Sequence, residues 1–82
     1  MRTTRVFDVA NRLATATGTR ARIRRRPEGG YRVEAALPGG LTDEAQLAIL
    51  AVLAAADRYG HQYSDTAQGV WAEFDEEREF QE

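Results

Sequence analysis

The chain has no cysteine and no lysine, a single histidine and a single tryptophan. Without cysteine there is no disulfide and no thiolate metal site, and the redox compartment leaves no mark on the composition. One histidine, His61, among dispersed carboxylates lacks the ligand spacing of a metal centre. Long apolar runs are also missing. The longest, Leu47 to Ala56, is ten residues, too short to span a bilayer. The basic start Met1-Arg2-Thr3-Thr4-Arg5 is not followed by the apolar core of a secretory leader. The expectation is a soluble, cytoplasmic protein without membrane contact. All eleven basic residues are arginine. Arginine is the better fork for carboxylate or phosphate, but its use here alongside abundant alanine reads first as genomic base composition.

What is present fits one small globular domain. The 43% hydrophobic and 29% charged fractions over 82 residues are not those of a disordered chain. A chain this short buries roughly two thirds of its unfolded surface, so its stability is marginal unless it associates. We divide it into an α+β domain over residues 1–75 and an acidic tail over 76–82.

The charge is split end to end. Residues 1–32 hold nine arginines against two acids, and residues 33–82 hold two arginines against eleven acids, which together make the formal net charge of −2. Such a dipolar chain contains parts that attract each other or a second copy.

The sequence reads as a helix-strand-strand unit repeated. Helix-like segments precede Gly18 and Gly60, each placed as a left-handed helix end. The windows Gly30-Tyr31-Arg32-Val33-Glu34-Ala35 and Gly69-Val70-Trp71-Ala72-Glu73-Phe74 alternate alike, each with Glu at the fifth place. The first helix is expected over 4–17, burying Val6, Val9, Ala10, Leu13, Ala14 and Thr17. The second begins after Pro38-Gly39-Gly40 with Thr42 as cap, and is expected to run to Arg58 or Tyr59, placing Arg58 at its negative end. Its apolar surface is wider than one face: Leu47, Leu50 and Ala54 flank the stripe of Ile49, Val52, Leu53 and Ala56. Either the first helix or a second copy must cover the excess. A hairpin spans Thr19 to Leu37 with its turn at Pro27–Gly30, and a weaker strand is expected over 61–65, with His61 and Tyr63 on one face.

The resulting fold is a two-layer α/β sandwich, α-β-β-α-β-β, with a four-stranded antiparallel sheet and two helices on one face. The alternative is the ferredoxin-like order β-α-β-β-α-β, with residues 3–7 as a strand. Either way one sheet face stays open.

By period two, Arg20, Arg22, Arg24 and Arg26 line that open face. Neighbours on one face lie about 6.7 Å apart, and each like-charge step costs roughly 0.6 kcal/mol in water before screening. Counter-charge must come from somewhere: from Glu34, Glu73 and Asp75 on the same face, from the tail, or from an external anion. A basic face with Trp71 outward also resembles how four-stranded sheets stack single-stranded bases. Against that stand a single outward aromatic, shared acids and a sequence pI of about 5.4.

No catalytic arrangement is apparent. On one strand His61 and Ser64 have opposite parity, and a nucleophile needs a base oriented by a third group. The Glu76-Glu77-Glu79 cluster lacks the alternating ligands of a calcium loop, and Gly29-Gly30 and Gly39-Gly40 are turn residues outside any phosphate-binding pattern. No cofactor is expected. The reading is a non-enzymatic protein-interaction or self-associating module. Its candidate contacts are Arg20, Arg22, Arg24, Arg32 and Trp71, and its partner an acidic protein surface or a second copy; single-stranded nucleic acid is the alternative.

Overall fold

The computed structural model describes residues 2–75; the expected acidic tail lies outside them. Helix α1 (Arg2–Thr17) leads through β1 (Ala21–Arg25) and β2 (Tyr31–Leu37) to α2 (Asp43–Leu53), then β3 (Arg58–Tyr63) and β4 (Gln68–Phe74). The α-β-β-α-β-β order holds, and with residues 3–7 helical the ferredoxin-like alternative is excluded. All pairs in the sheet are antiparallel and the strand order is β1-β2-β4-β3, so β1 and β3 are its edges.

Helix α1 ends where the glycine was expected. Gly18 takes φ 73° and its N–H donates to Ala14 O at 2.9 Å. The Thr17 hydroxyl donates to Leu13 O at 2.8 Å, and the Thr19 hydroxyl to Ala36 O at 2.8 Å, tying the helix end to β2. The first hairpin closes through Arg26 N–H to Gly30 O at 2.9 Å, with Gly29 and Gly30 both at positive φ. At the start of α2 the Thr42 hydroxyl accepts from Ala45 N–H at 3.0 Å, and Asp43 and Glu44 fill the first turn.

Helix α2 is shorter than its sequence suggests. It stops at Leu53, and bonds from Ala55 N–H to Val52 O (3.2 Å) and Ala56 N–H to Leu53 O (2.9 Å) tighten the exit. Arg58 and Tyr59 therefore belong to β3 and not to the helix. The cation at the α2 exit is instead Arg5 from α1, which donates to Ala55 O at 2.6 Å and lies 3.6 Å from Asp57. Gly60 is not a helix cap: it sits within β3 and is absent from the positive-φ glycines.

The core joins Val6, Val9, Ala10 and Leu13 of α1 with Ile49 and Leu53 of α2 and the inward row Val33, Ala35, Val70, Ala72 and Phe74. Helix α1 packs on β1, β2 and α2, whereas α2 makes few close backbone approaches to the sheet. Covering by α1 therefore accounts for Ile49 and Leu53, and leaves Leu47 and Leu50 on the far flank exposed. No helix among the described residues is long and apolar enough to cross a membrane.

Candidate functional site

The register places the predicted contact residues on one face. Arg24, Arg32, Glu73 and Arg58 stand side by side across the four strands; the next row is Arg22, Glu34, Trp71 and Gly60. Arg24 and Arg32 are direct neighbours, and like charges so placed repel. Glu34 resolves this by accepting from Arg32 Nε at 2.7 Å and Arg24 Nη2 at 3.2 Å. Glu73 accepts from Arg32 Nη1 at 2.8 Å and Arg58 Nε at 3.2 Å. Asp75 takes Arg58 Nη2 at 2.6 Å. Arg26 lies past the end of β1, with its side chain largely covered, 2.8 Å from Glu28, 3.6 Å from Asp75 and 3.8 Å from Glu73. Four arginines thus meet four carboxylates, and this part of the ladder is neutralised within the chain.

The titration behaviour follows from this network. Partial burial pushes the Glu73 carboxyl up, but hydrogen bonds from Arg32 and Arg58 and the charge of Arg26 outweigh it and hold it below its usual range. The hydrogen bond from Arg58 holds Asp75 low. Glu28 is lowered chiefly by a backbone hydrogen bond, with Arg26 adding to it. Burial alone would lower Arg32, yet its bonds to Glu34 and Glu73 leave it raised. Arg58 is raised above the ordinary arginine value, first by Asp75 and then by Glu73.

Trp71 is engaged as well. The Arg32 guanidinium lies over its ring, 4.5 Å from the centroid. The indole leans across Gly60, where a Cβ would come 2.5 Å from Trp71 Cζ2 and 2.7 Å from Cε2. Gly60 is therefore a glycine because its cross-strand neighbour occupies the space of a side chain. Gly60→Ala should push the indole outward, cost about 1 kcal/mol, and shift the emission of this sole tryptophan to the red. Unchanged emission in the folded variant would show that the ring does not rest there.

Arg20 and Arg22 remain. Among the described residues neither has a carboxylate partner, and they border a shallow trough of about 710 Å³ floored by Ala36 and Gly69. Of the five predicted contacts, then, all lie on or beside the open face; Arg24, Arg32 and Trp71 are engaged within the chain, and Arg20 and Arg22 have no carboxylate partner among the described residues.

The opposite side of the sheet carries a second feature. Tyr59, His61 and Tyr63 of β3 alternate onto the helix-facing side, with the His61 and Tyr63 rings 4.2 Å apart. Helix α2 does not reach over them. Between α2 and β3–β4 runs a groove of about 580 Å³, lined by Ile49, Leu50, Leu53, Tyr59, Tyr63 and Val70. Leu47, one turn before Leu50, extends its exposed flank. The surplus leucines are legible in the sequence, whereas Tyr59 is hidden there because the helical pattern of α2 runs on to it. The period-two run Tyr59-His61-Tyr63 was the available signal.

Among the described residues no three His, Asp or Glu side chains are grouped to hold a metal ion. No protein-family model, curated protein or solved structure matches the chain.

Proposed function

We propose that this domain is a non-enzymatic protein-interaction module that associates with a second copy of itself through α2 and β3. One observation carries the reading. Leu47, Leu50, Tyr59 and Tyr63 are 66%, 51%, 48% and 73% exposed and flank a single groove. Fully burying one such leucine is worth roughly 1.5–3 kcal/mol, a large share of the roughly 5–10 kcal/mol that holds a small domain together. Contiguous apolar surface of this kind, bordered by polar residues, marks an association site. Readings that place an acidic protein or a nucleic acid on the open face have less support. Arg24 and Arg32 already serve Glu34 and Glu73, and Arg32 already covers the Trp71 ring.

Sedimentation equilibrium tests this. The wild type should show a concentration-dependent dimer that persists at high salt, since the contact is apolar. Leu47→Glu with Leu50→Glu should be monomeric and folded. A wild type that stays monomeric up to millimolar concentration overturns the proposal.

A further inference from the structure

The two edges of the sheet are unequal. Edge β1 reads Ala21-Arg22-Ile23-Arg24-Arg25, three arginines in five residues. Two such edges brought together would repel, and charge of this kind is how sheets guard an edge. Edge β3 has no such guard. The charge of Arg58 is taken up by Glu73 and Asp75, and Tyr59-Gly60-His61-Gln62-Tyr63 contains no Arg, Lys, Asp or Glu.

The hydrogen-bonding parity of β3 shows which of its residues are free. Ser64 N–H donates to Ala67 O at 2.8 Å, in register with the pairs Gln62–Gly69, Gly60–Trp71 and Arg58–Glu73. In an antiparallel ladder, bonded residues alternate. The even-numbered residues therefore turn their N–H and C=O groups toward β4. Tyr59, His61 and Tyr63 turn theirs outward, along the free edge.

Resting on the self-association proposed above, we infer that two copies pair through these β3 edges, antiparallel about a two-fold axis at His61, to form one continuous eight-stranded sheet. This register engages all three outward residues. His61 pairs with His61 of the second copy, and Tyr59 pairs with Tyr63 of the second copy, in both directions. Each such pair exchanges two backbone bonds. On the open face Gly60 meets Gln62 of the second copy and Arg58 meets Ser64, so no two arginines face each other. On the other face the tyrosine pairs meet beside the groove, where the Leu50 flanks of both copies close over them. A two-fold interface must complement itself, and this edge does.

Two variants test the pairing. His61→Pro removes an N–H that points outward, so the bonds to β4 remain and an edge strand tolerates the ring. It should keep the far-UV circular dichroism and melting temperature of the isolated domain at low concentration, and weaken dimerisation at least tenfold. His61→Cys introduces the only thiol in the chain. Paired Cα atoms here lie about 5.5 Å apart, within disulfide reach. Mild oxidation with diamide should join this variant into a covalent dimer, while Arg24→Cys on β1 stays monomeric. If the wild type dimerises but His61→Pro dimerises equally well and Leu50→Cys cross-links in place of His61→Cys, the contact is helix to helix. Self-association then stands and edge pairing is overturned. If the wild type never dimerises, both are overturned.

Discussion

Leu13→Ala should lower the unfolding free energy by about 3–4 kcal/mol, a large share of the stability of a domain this small. Leu13 has no exposed surface and stands at the centre of the buried face of α1, between Val9, Ala10 and Thr17. Removing three buried carbons loses their transfer energy and leaves a cavity. The surroundings can close it only by shifting α1, which is pinned at both ends. Arg5 holds its first turns to Ala55 O at 2.6 Å, and Thr17 and Thr19 tie its last turn to β2. Little relaxation is available, which keeps the cost above the lower end of the range of about 2–5 kcal/mol for such changes. For a domain of this size each 1 kcal/mol lowers the melting temperature by about 4–8 °C, and a fall of roughly 15–25 °C is expected. Leu50→Ala is the internal control. Leu50 is 51% exposed, so its truncation should leave the monomer nearly unchanged while weakening association. Thermal melts at low and high protein concentration separate the two. A Leu13→Ala variant within 1 kcal/mol of wild type would mean that α1 does not pack as described.

Much of this arrangement was legible in the sequence, and the parts that were not share one cause. Local signals placed α1, its Gly18 stop, the Thr42 cap, the Pro27–Gly30 turn and the inward faces of β2 and β4. Each depends on residues within a few positions of one another. The sequence overstates the length of α2 because Ala54-Ala55-Ala56 are good helix formers and Gly60 looks like a cap. What competes is tertiary: β4 takes a partner strand, and the Trp71 indole requires a residue without a Cβ directly across from it. Nothing near Gly60 in sequence announces Trp71. The arginine ladder shows the same limit. Its face was readable by parity, and so were the acids that share it. Its pairing was not, because Glu34 stands opposite Arg22 yet binds Arg32, two residues back on its own strand, and the diagonal Arg24. Which neighbour a side chain turns toward is decided by rotamers, after the register is set.

Glu73→Gln should destabilise the domain by about 2 kcal/mol at neutral pH, and it should also flatten the acid limb of the stability profile. The first effect follows from position. The Glu73 side chain is 15% exposed and lies within 4 Å of Arg26, Arg32 and Arg58. Hydrogen bonds to charged groups contribute about 1.5–3 kcal/mol each. Losing the carboxylate also leaves Arg26 and Arg32, themselves only 15% and 19% exposed, short of counter-charge. The amide keeps the shape and one acceptor, which keeps the loss from being larger. The second effect follows from linkage. The folded state holds the Glu73 carboxyl below its ordinary value of 4.5, and Asp75 below 3.8. Between the unfolded and folded values the unfolded chain binds more protons, so stability falls as pH falls. The contribution of Glu73 is therefore fully present above about pH 5 and is lost as pH drops through its folded value. Wild type should show a plateau at neutral pH and a decline beginning near pH 4.5. In Glu73→Gln the plateau should be lower and the decline shallower, retaining the part due to Asp75 and Glu28. Urea unfolding midpoints from pH 7 to pH 3 measure both. Parallel profiles for the two proteins would place the acid sensitivity elsewhere, and would remove Glu73 from the centre of the network that neutralises the open face.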